Sequence, residues 1–364
     1  MQTLVAPEVV GAKLVEWYSC IVANDIEQAE ESKTIAEEML TQMREHETVI
    51  NHYKLILLSH DLMLKKLNTE VSPEELERMK IETEASDQRL KYLYYYMTAQ
   101  YEIYKSRFKS ALRIFKIAHN YLNHTNDKFE IGEFYSRYGF CYYRLDDYEN
   151  SIKFIKKGLE ALEGNRKFEE RYLKTKLLIA YIATELEDYK KAENVYTEIF
   201  KCSHSYPRLH TMVNRGLALN RIRQRKFNEA KHFLLESLEV KEISGTVTEV
   251  QNKYNLANTM FRLGESKDAK KLLDQAEEKA LEYNLVEQIA KSTITRGLYQ
   301  YSRMDMVEEG LQVLYSNELF FEYSEMALEI ADFFEGKKDF ENAFKYLKKH
   351  KETPTNKNIL EELI

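Results

Sequence analysis

One pattern of small, aromatic and apolar positions returns along most of the chain. It reads YYMTAQYEIYKSRFKSAL up to Leu112 and YSRYGFCYYRLDDYENSI up to Ile152, then LLIAYIATELEDYKKAE, GLALNRIRQRKFNEAK and NLANTMFRLGESKDAK. Each copy opens on a small residue and, across about twelve positions, reaches an aromatic or its equivalent and a second small residue. The second small residues are Ala111, Ser151, Ala192, Ala230, Ala269, Gly310 and Ala343, with gaps of 40, 41, 38, 39, 41 and 33 residues. Such self-similarity marks tetratricopeptide helix–turn–helix repeats, whose basic unit is ~34 residues. Small residues at Ala99, Gly139, Ala180, Ala218, Ala257 and Ala331 would let the first helix of each pair approach the second closely. Aromatics at Phe108, Tyr148, Tyr189, Phe227 and Phe340 would fill the adjoining gap. One pair cannot bury its apolar face alone, whereas seven stacked pairs can. The pattern therefore predicts an all-α protein with a right-handed superhelix of seven repeats and a concave inner surface. The Gly310 copy fits least well.

Residues 1–90 lack the repeat but keep helix signals, which place helices near 8–22, 26–44, 47–68 and 73–90. Asp25 with Gln28 marks one start. Ser72-Pro73-Glu74-Glu75 marks another, with Ser72 at N-cap, Pro73 at N1 and Glu75 at N3, a capping box. The first three helices are expected to form a bundle over 1–70. The fourth would be a linker over 71–90, leading into a repeat domain over 91–364.

Composition agrees with helices. The chain has 11 glycines and 4 prolines in 364 residues, too few for the punctuation of a sandwich, barrel or propeller. It is 44% apolar, enough for a core. Lys+Arg 53 against Asp+Glu 60 gives −7, so the whole chain carries no nucleic-acid signature. Cys20, Cys141 and Cys202 form no CxxC pair, which argues against a disulfide framework or a zinc ribbon. The first residues do not read as a secretory signal, and no stretch approaches a membrane span. A cytoplasmic setting is the simplest expectation.

With VGAKLVEWY at 10–18, QMREHETVINHYKLILLSHDLMLKKL at 42–67 and seven such repeats, the chain resembles the Rap family. These are response regulator aspartate phosphatases of spore-forming Gram-positive bacteria. The resemblance implies that the bundle docks on a response regulator, at its receiver domain or its DNA-binding domain. Some members hydrolyse the aspartyl phosphate and others block DNA binding without chemistry. It also implies that a re-imported signalling peptide of the Phr type binds inside the repeats and relieves the inhibition. No cofactor of the chain's own is implied; magnesium would sit on the partner's receiver domain.

Phosphatase members carry a catalytic glutamine in the segment corresponding to 42–53, and Glu47 falls at that position here. A carboxamide donates and accepts hydrogen bonds, so it can orient an attacking water, whereas an ionised carboxylate only accepts. Glu47 could instead act as a general base. Asn51, one turn on, could supply the missing carboxamide. Glu45, His46 and Ile50 would belong to the same docking face. Without the resemblance, Glu47 is an ordinary acidic residue favoured by the dipole of a helix's first turn.

Counted from the small residues, positions 2, 5, 9, 12 and 13 of each first helix should line the inner surface. Position 13 reads Arg144, Glu185, Arg223 and Arg262, a mainly basic stripe with one acidic break, and Arg215 holds position 5 beside Arg223. Arginine forks suit a peptide carboxylate or acidic side chain; solvated surface arginines would give the same pattern. Peptide-binding relatives hold the peptide backbone with asparagines. Tyr254-Asn255-Leu256-Ala257 fits that arrangement, with Asn258 next along. Asn214 looks similar but is two residues out of register. Tyr181 and Glu185 would contribute from the preceding repeat.

The run RGLALNRIRQRK is a weak nucleic-acid signal in an acidic chain. The nine histidines include no HExxH, and His46, His52 and His60 have no cysteine or carboxylate cluster at ligand spacing, so no metal site is expected. Trp17 is expected to pack in the bundle. A peptide-sensing transcription factor would need a DNA-binding helix-turn-helix, which residues 1–70 do not resemble. A generic repeat scaffold for another protein partner is the remaining alternative.

Overall fold

The computed structural model describes residues 4–64, 72, 74, 79–80 and 88–353. Among these, all regular structure is helical apart from an isolated bridge between Val5 and Met43. The bundle helices are α1 (Pro7–Ala23), α2 (Ile26–Thr41) and α3 (Glu47–Leu64). Fourteen further helices follow as seven hairpins: α4 (Gln88–Tyr104) with α5 (Phe108–Asn120), α6 (Lys128–Tyr143) with α7 (Tyr148–Leu162), α8 (Glu169–Glu185) with α9 (Tyr189–Ser203), and α10 (Pro207–Arg223) with α11 (Phe227–Leu238). Next come α12 (Val247–Arg262) with α13 (Ser266–Glu282), α14 (Val286–Thr295) with α15 (Met304–Ser316), and α16 (Phe320–Gly336) with α17 (Phe340–Glu352). Each small residue named above lies on its expected helix. The capping box at 72–75 and most of the 73–90 linker helix lie outside the described residues. The second helix stops at Thr41 rather than 44, because Val5 N–H donates to Gln42 O and the chain pairs at Met43. Asp25 caps it, its side chain accepting from Gln28 N at 3.2 Å.

The chain divides into two compact units. The first contains the bundle, residues 108–141 and residues 149–178. Leu14, Trp17 and Ile56 are fully buried in it. The Trp17 indole donates to His60 Nδ1 at 3.1 Å, and His60 Nε2 faces Glu30 at 3.2 Å. An indole can only donate, so Nδ1 must accept and the ring is neutral with its proton on Nε2. Burial pushes the His60 pKa down, against the opposing pull of Glu30. A depressed histidine pKa favours the neutral fold. The bundle is thus expected to keep its full stability above pH ~6.5 and lose it as the pH falls below that value. Trp17 is the single tryptophan, so its emission during urea unfolding at pH 7.5 and 5.5 checks this directly. An unchanged midpoint would rule it out.

The same unit ties the end of α1 to α8. Arg171 is 5% exposed; it pairs with Glu133 at 2.8 Å and donates to the Val22 carbonyl at 3.2 Å and the Ile21 carbonyl at 3.4 Å. Asn24, in the left-handed conformation that ends α1, donates to Glu170 at 2.9 Å.

The second unit contains residues 142–148 and the hairpins from 179 onward. Its sixth hairpin explains the weakest copy of the pattern. Residues Arg296–Tyr301 form a π-helical turn, which inserts one residue. A Cβ at Gly297 would lie 2.8 Å from both the Arg303 carbonyl and Val307, so Val307, five residues after the left-handed Ser302, stands where the other hairpins place their second small residue, which corrects the assignment of Gly310. A Cβ at Gly310 would lie 2.8 Å from the Ala290 carbonyl and 2.5 Å from Ile294 Cγ1. Gly310→Ala is expected to cost ~1–3 kcal/mol by overpacking, read as a lower urea midpoint. Phe340 corrects an expectation: it is 68% exposed, because no further described hairpin packs beside α17.

Candidate functional site

Two surfaces carry the residues singled out by sequence, one in each unit. The first is the α2–α3 corner. Glu45 and His46 precede α3 and Glu47 is its first residue; all three are exposed, and Ile50 is half-buried. Glu47 sits where the helix dipole favours a carboxylate. Asn51 is 7% exposed and packs inward, so it does not present a carboxamide beside Glu47. Burial of the second face of α3, with Val49, Leu55 and Ile56, turns Asn51 into the bundle.

The second surface is formed by the first helices of the later hairpins. Asn258 is buried; its amide donates to Glu329 at 2.7 Å and to Thr295 Oγ1 at 3.2 Å. The Tyr254 hydroxyl stands 3.1 Å from Thr295 Oγ1, and Lys291 lies over the Tyr254 ring. Asn255 is half-buried, its carbonyl accepting from Thr259 Oγ1. Tyr181 donates to the Met212 carbonyl at 3.3 Å, and Arg215 donates to Gln251. Asn214 is fully buried with no hydrogen-bond partner on either amide atom. It sits four positions before Ala218 on α10, two residues from the slot that Asn255 holds before Ala257.

The arginine stripe is not a set of free cations. Arg144 pairs with Glu322 and, at 3.3 Å, with Glu287. Arg223 pairs with both Glu185 and Glu325. Arg262 stacks on Phe227 at 4.4 Å and reaches Asp332 at 3.6 Å. Burial and neighbouring Glu325 hold the Glu185 carboxyl up, against the pull of Arg223. Burial holds Glu322 up as well, although Arg144 pulls it down. The sequence reading missed the acidic partners on α16. The signal was present, since lining positions 2, 9 and 12 of the seventh repeat read Glu325, Asp332 and Glu335. No group of three or more histidine, cysteine or carboxylate side chains able to hold a metal occurs among the described residues.

Residues 4–65 match the family described as response regulator aspartate phosphatase H, N terminal, and residues 132–161 match a tetratricopeptide repeat. Response regulator aspartate phosphatase I of Bacillus subtilis (strain 168) is 25% identical over 349 residues, covering 90% of this chain and 86% of that protein. The chain belongs to the Rap family. Its fold is also that of a solved Rap protein complexed with competence and sporulation factor, with a TM-score of 0.83 at 21% identity over 98% of this chain and 99% of that one. A Rhodococcus hoagii protein named type II methyltransferase M.CeqI is 36% identical over 99% of this chain and 70% of its own length. No two glycines in the present chain stand within two residues of each other, so it holds no glycine-rich nucleotide turn. No described helix of this Rap chain is long and apolar enough to cross a membrane.

Proposed function

We propose that the chain is a peptide-controlled regulator that docks on a response regulator through its bundle and inhibits it. The observation that carries this reading is the exposed corner Glu45-His46-Glu47, with Ile50 beside it, inside the domain that matches the Rap family. An exposed, mixed acidic and apolar corner on a rigid helix pair suits docking on another folded domain. The acid at 47 favours sequestration over hydrolysis, since it lacks the donor that would orient water for in-line attack. If hydrolysis does occur, the receiver's own magnesium supplies the metal and Glu47 acts as base. The inner lining, rich in asparagine, tyrosine and arginine, fits a short peptide backbone, and the solved Rap conjugation gene regulator of the plasmid pLS20 is in complex with the Phr* peptide. Nothing in this reading requires nucleic acid or membrane, and the cytoplasm is where such partners meet.

The test is binding of purified receiver domains and full response regulators, measured by calorimetry with the native chain and with Ile50→Asp. Micromolar binding that falls at least ~10-fold in the variant supports the docking face, an apolar hot-spot loss of ~1.4 kcal/mol or more. Equal binding by both would move the interface elsewhere, and no binding to any regulator would overturn the reading.

A further inference from the structure

Three buried polar atoms of the first unit have no hydrogen-bond partner, and their residues line one small cavity. They are the hydroxyl of Tyr18 on α1, the hydroxyl of Tyr96 on α4 and Oε2 of Glu133 on α6. Tyr18 is 5% exposed, Tyr96 1% and Glu133 3%. Burial pushes both tyrosine pKa values well above the ordinary one, so each hydroxyl keeps a proton to donate. Glu133 Oε1 accepts from Arg137 Nε at 2.9 Å. Arg171 Nε stands 2.8 Å from Oε2, but its single hydrogen goes to the Val22 carbonyl. Two donors and one acceptor are therefore left over around the same space.

The cavity measures about 10 Å³, the room that one water needs. A buried water typically makes about three hydrogen bonds, and three partners are on offer. We propose that a single water molecule is a built-in member of this unit. It accepts from Tyr18 and Tyr96 and donates to Glu133 Oε2, and so links α1 to α4 and α6. The uneven set of partners selects water over an anion of similar size, because an anion has no proton to give a carboxylate. The volume leaves no room for an organic ligand. The water also reverses the sign of a simple substitution. A buried hydroxyl without a partner costs stability, so phenylalanine in its place would be neutral or stabilising. A hydroxyl that holds a water loses a bond on the same change and leaves the water short of a partner.

Urea unfolding of the full chain, followed by Trp17 emission, tests the site without any regulator or peptide. Tyr18→Phe and Tyr96→Phe are each expected to lower the folding equilibrium constant about tenfold. The double variant is expected to lose less than the product of the two single losses, because both hydroxyls hold one water. A raised or unchanged urea midpoint in either single variant would overturn the proposal, and so would a double loss equal to that product. A crystal structure of the native chain reads the site directly. A density peak ~2.5–3.0 Å from both hydroxyl oxygens and from Glu133 Oε2 is expected. Hydroxyls bonded straight to each other or to Glu133, with the cavity closed, would overturn it.

Discussion

Arg171→Met is expected to destabilise the first unit by ~3 kcal/mol or more, the range for breaking a buried ion pair being ~3–5 kcal/mol. The guanidinium is almost fully buried and serves three acceptors at once: the Glu133 carboxylate and the last carbonyls of α1. Those carbonyls lie in the last turn of α1, where intrahelical donors run out and Ile21 O accepts from the Asn24 N–H at 3.0 Å, so Arg171 acts as a charged C-cap delivered from 150 residues away. Methionine keeps the side-chain volume but removes the side-chain donor from the Val22 and Ile21 carbonyls and from part of the Glu133 charge, leaving Ile21 O only the Asn24 N–H at 3.0 Å. Arg137 remains on Glu133 at 2.9 Å, which holds the loss toward the lower end. Asn24→Ala, which removes the parallel bond to Glu170, is expected to cost about 1 kcal/mol. Urea unfolding followed by Trp17 emission measures both. A loss below ~1 kcal/mol for Arg171→Met would show that α1 is held by apolar packing alone.

Glu47→Gln is expected to create or greatly raise hydrolysis of a docked regulator's aspartyl phosphate. A carboxylate ~4 Å from the phosphate, at an effective dielectric of ~20, is opposed by ~4 kcal/mol. Taken wholly in the transition state, this is up to ~10³-fold in rate. Magnesium on the receiver would screen part of it. Glutamine removes the charge and supplies the donor and acceptor pair. Asn51 cannot substitute, since it is turned into the bundle. Phosphate release from phosphorylated regulators, with binding recorded in parallel, reads the effect. Fast release by the native chain, lost in the glutamine variant, would instead make Glu47 a working general base.

The repeat was legible because its packing rule is local: a small residue where two helices approach, an aromatic beside it, and a second small residue at constant spacing. The bundle helices were legible from capping and periodicity, with an error of three residues at Thr41 where a backbone pairing, invisible to propensity, ends the helix. Gly297 was hidden because its partner position holds Val307 rather than a small residue, and the π turn alters the spacing. The site was less legible. Position counting nominated Arg144, Arg223 and Arg262 as lining residues, but whether such an arginine is free depends on what packs opposite it, and their partner acids on α16 lie 70 to 178 residues away in sequence. Asn214 stands two positions from the slot of Asn255, a rotation of about 200° round a helix, and its side chain is buried. Pairings such as Trp17 with His60, 43 residues apart, carry no local signal at all.

The central claim is that the α2–α3 corner is a docking face for a response regulator. Its most direct measurement is hydrogen exchange of the full chain with and without a saturating regulator found by the binding panel. Protection concentrated at residues 44–53, lost with Ile50→Asp, is the expected result. Protection confined to the repeats, with the corner unchanged, would contradict it.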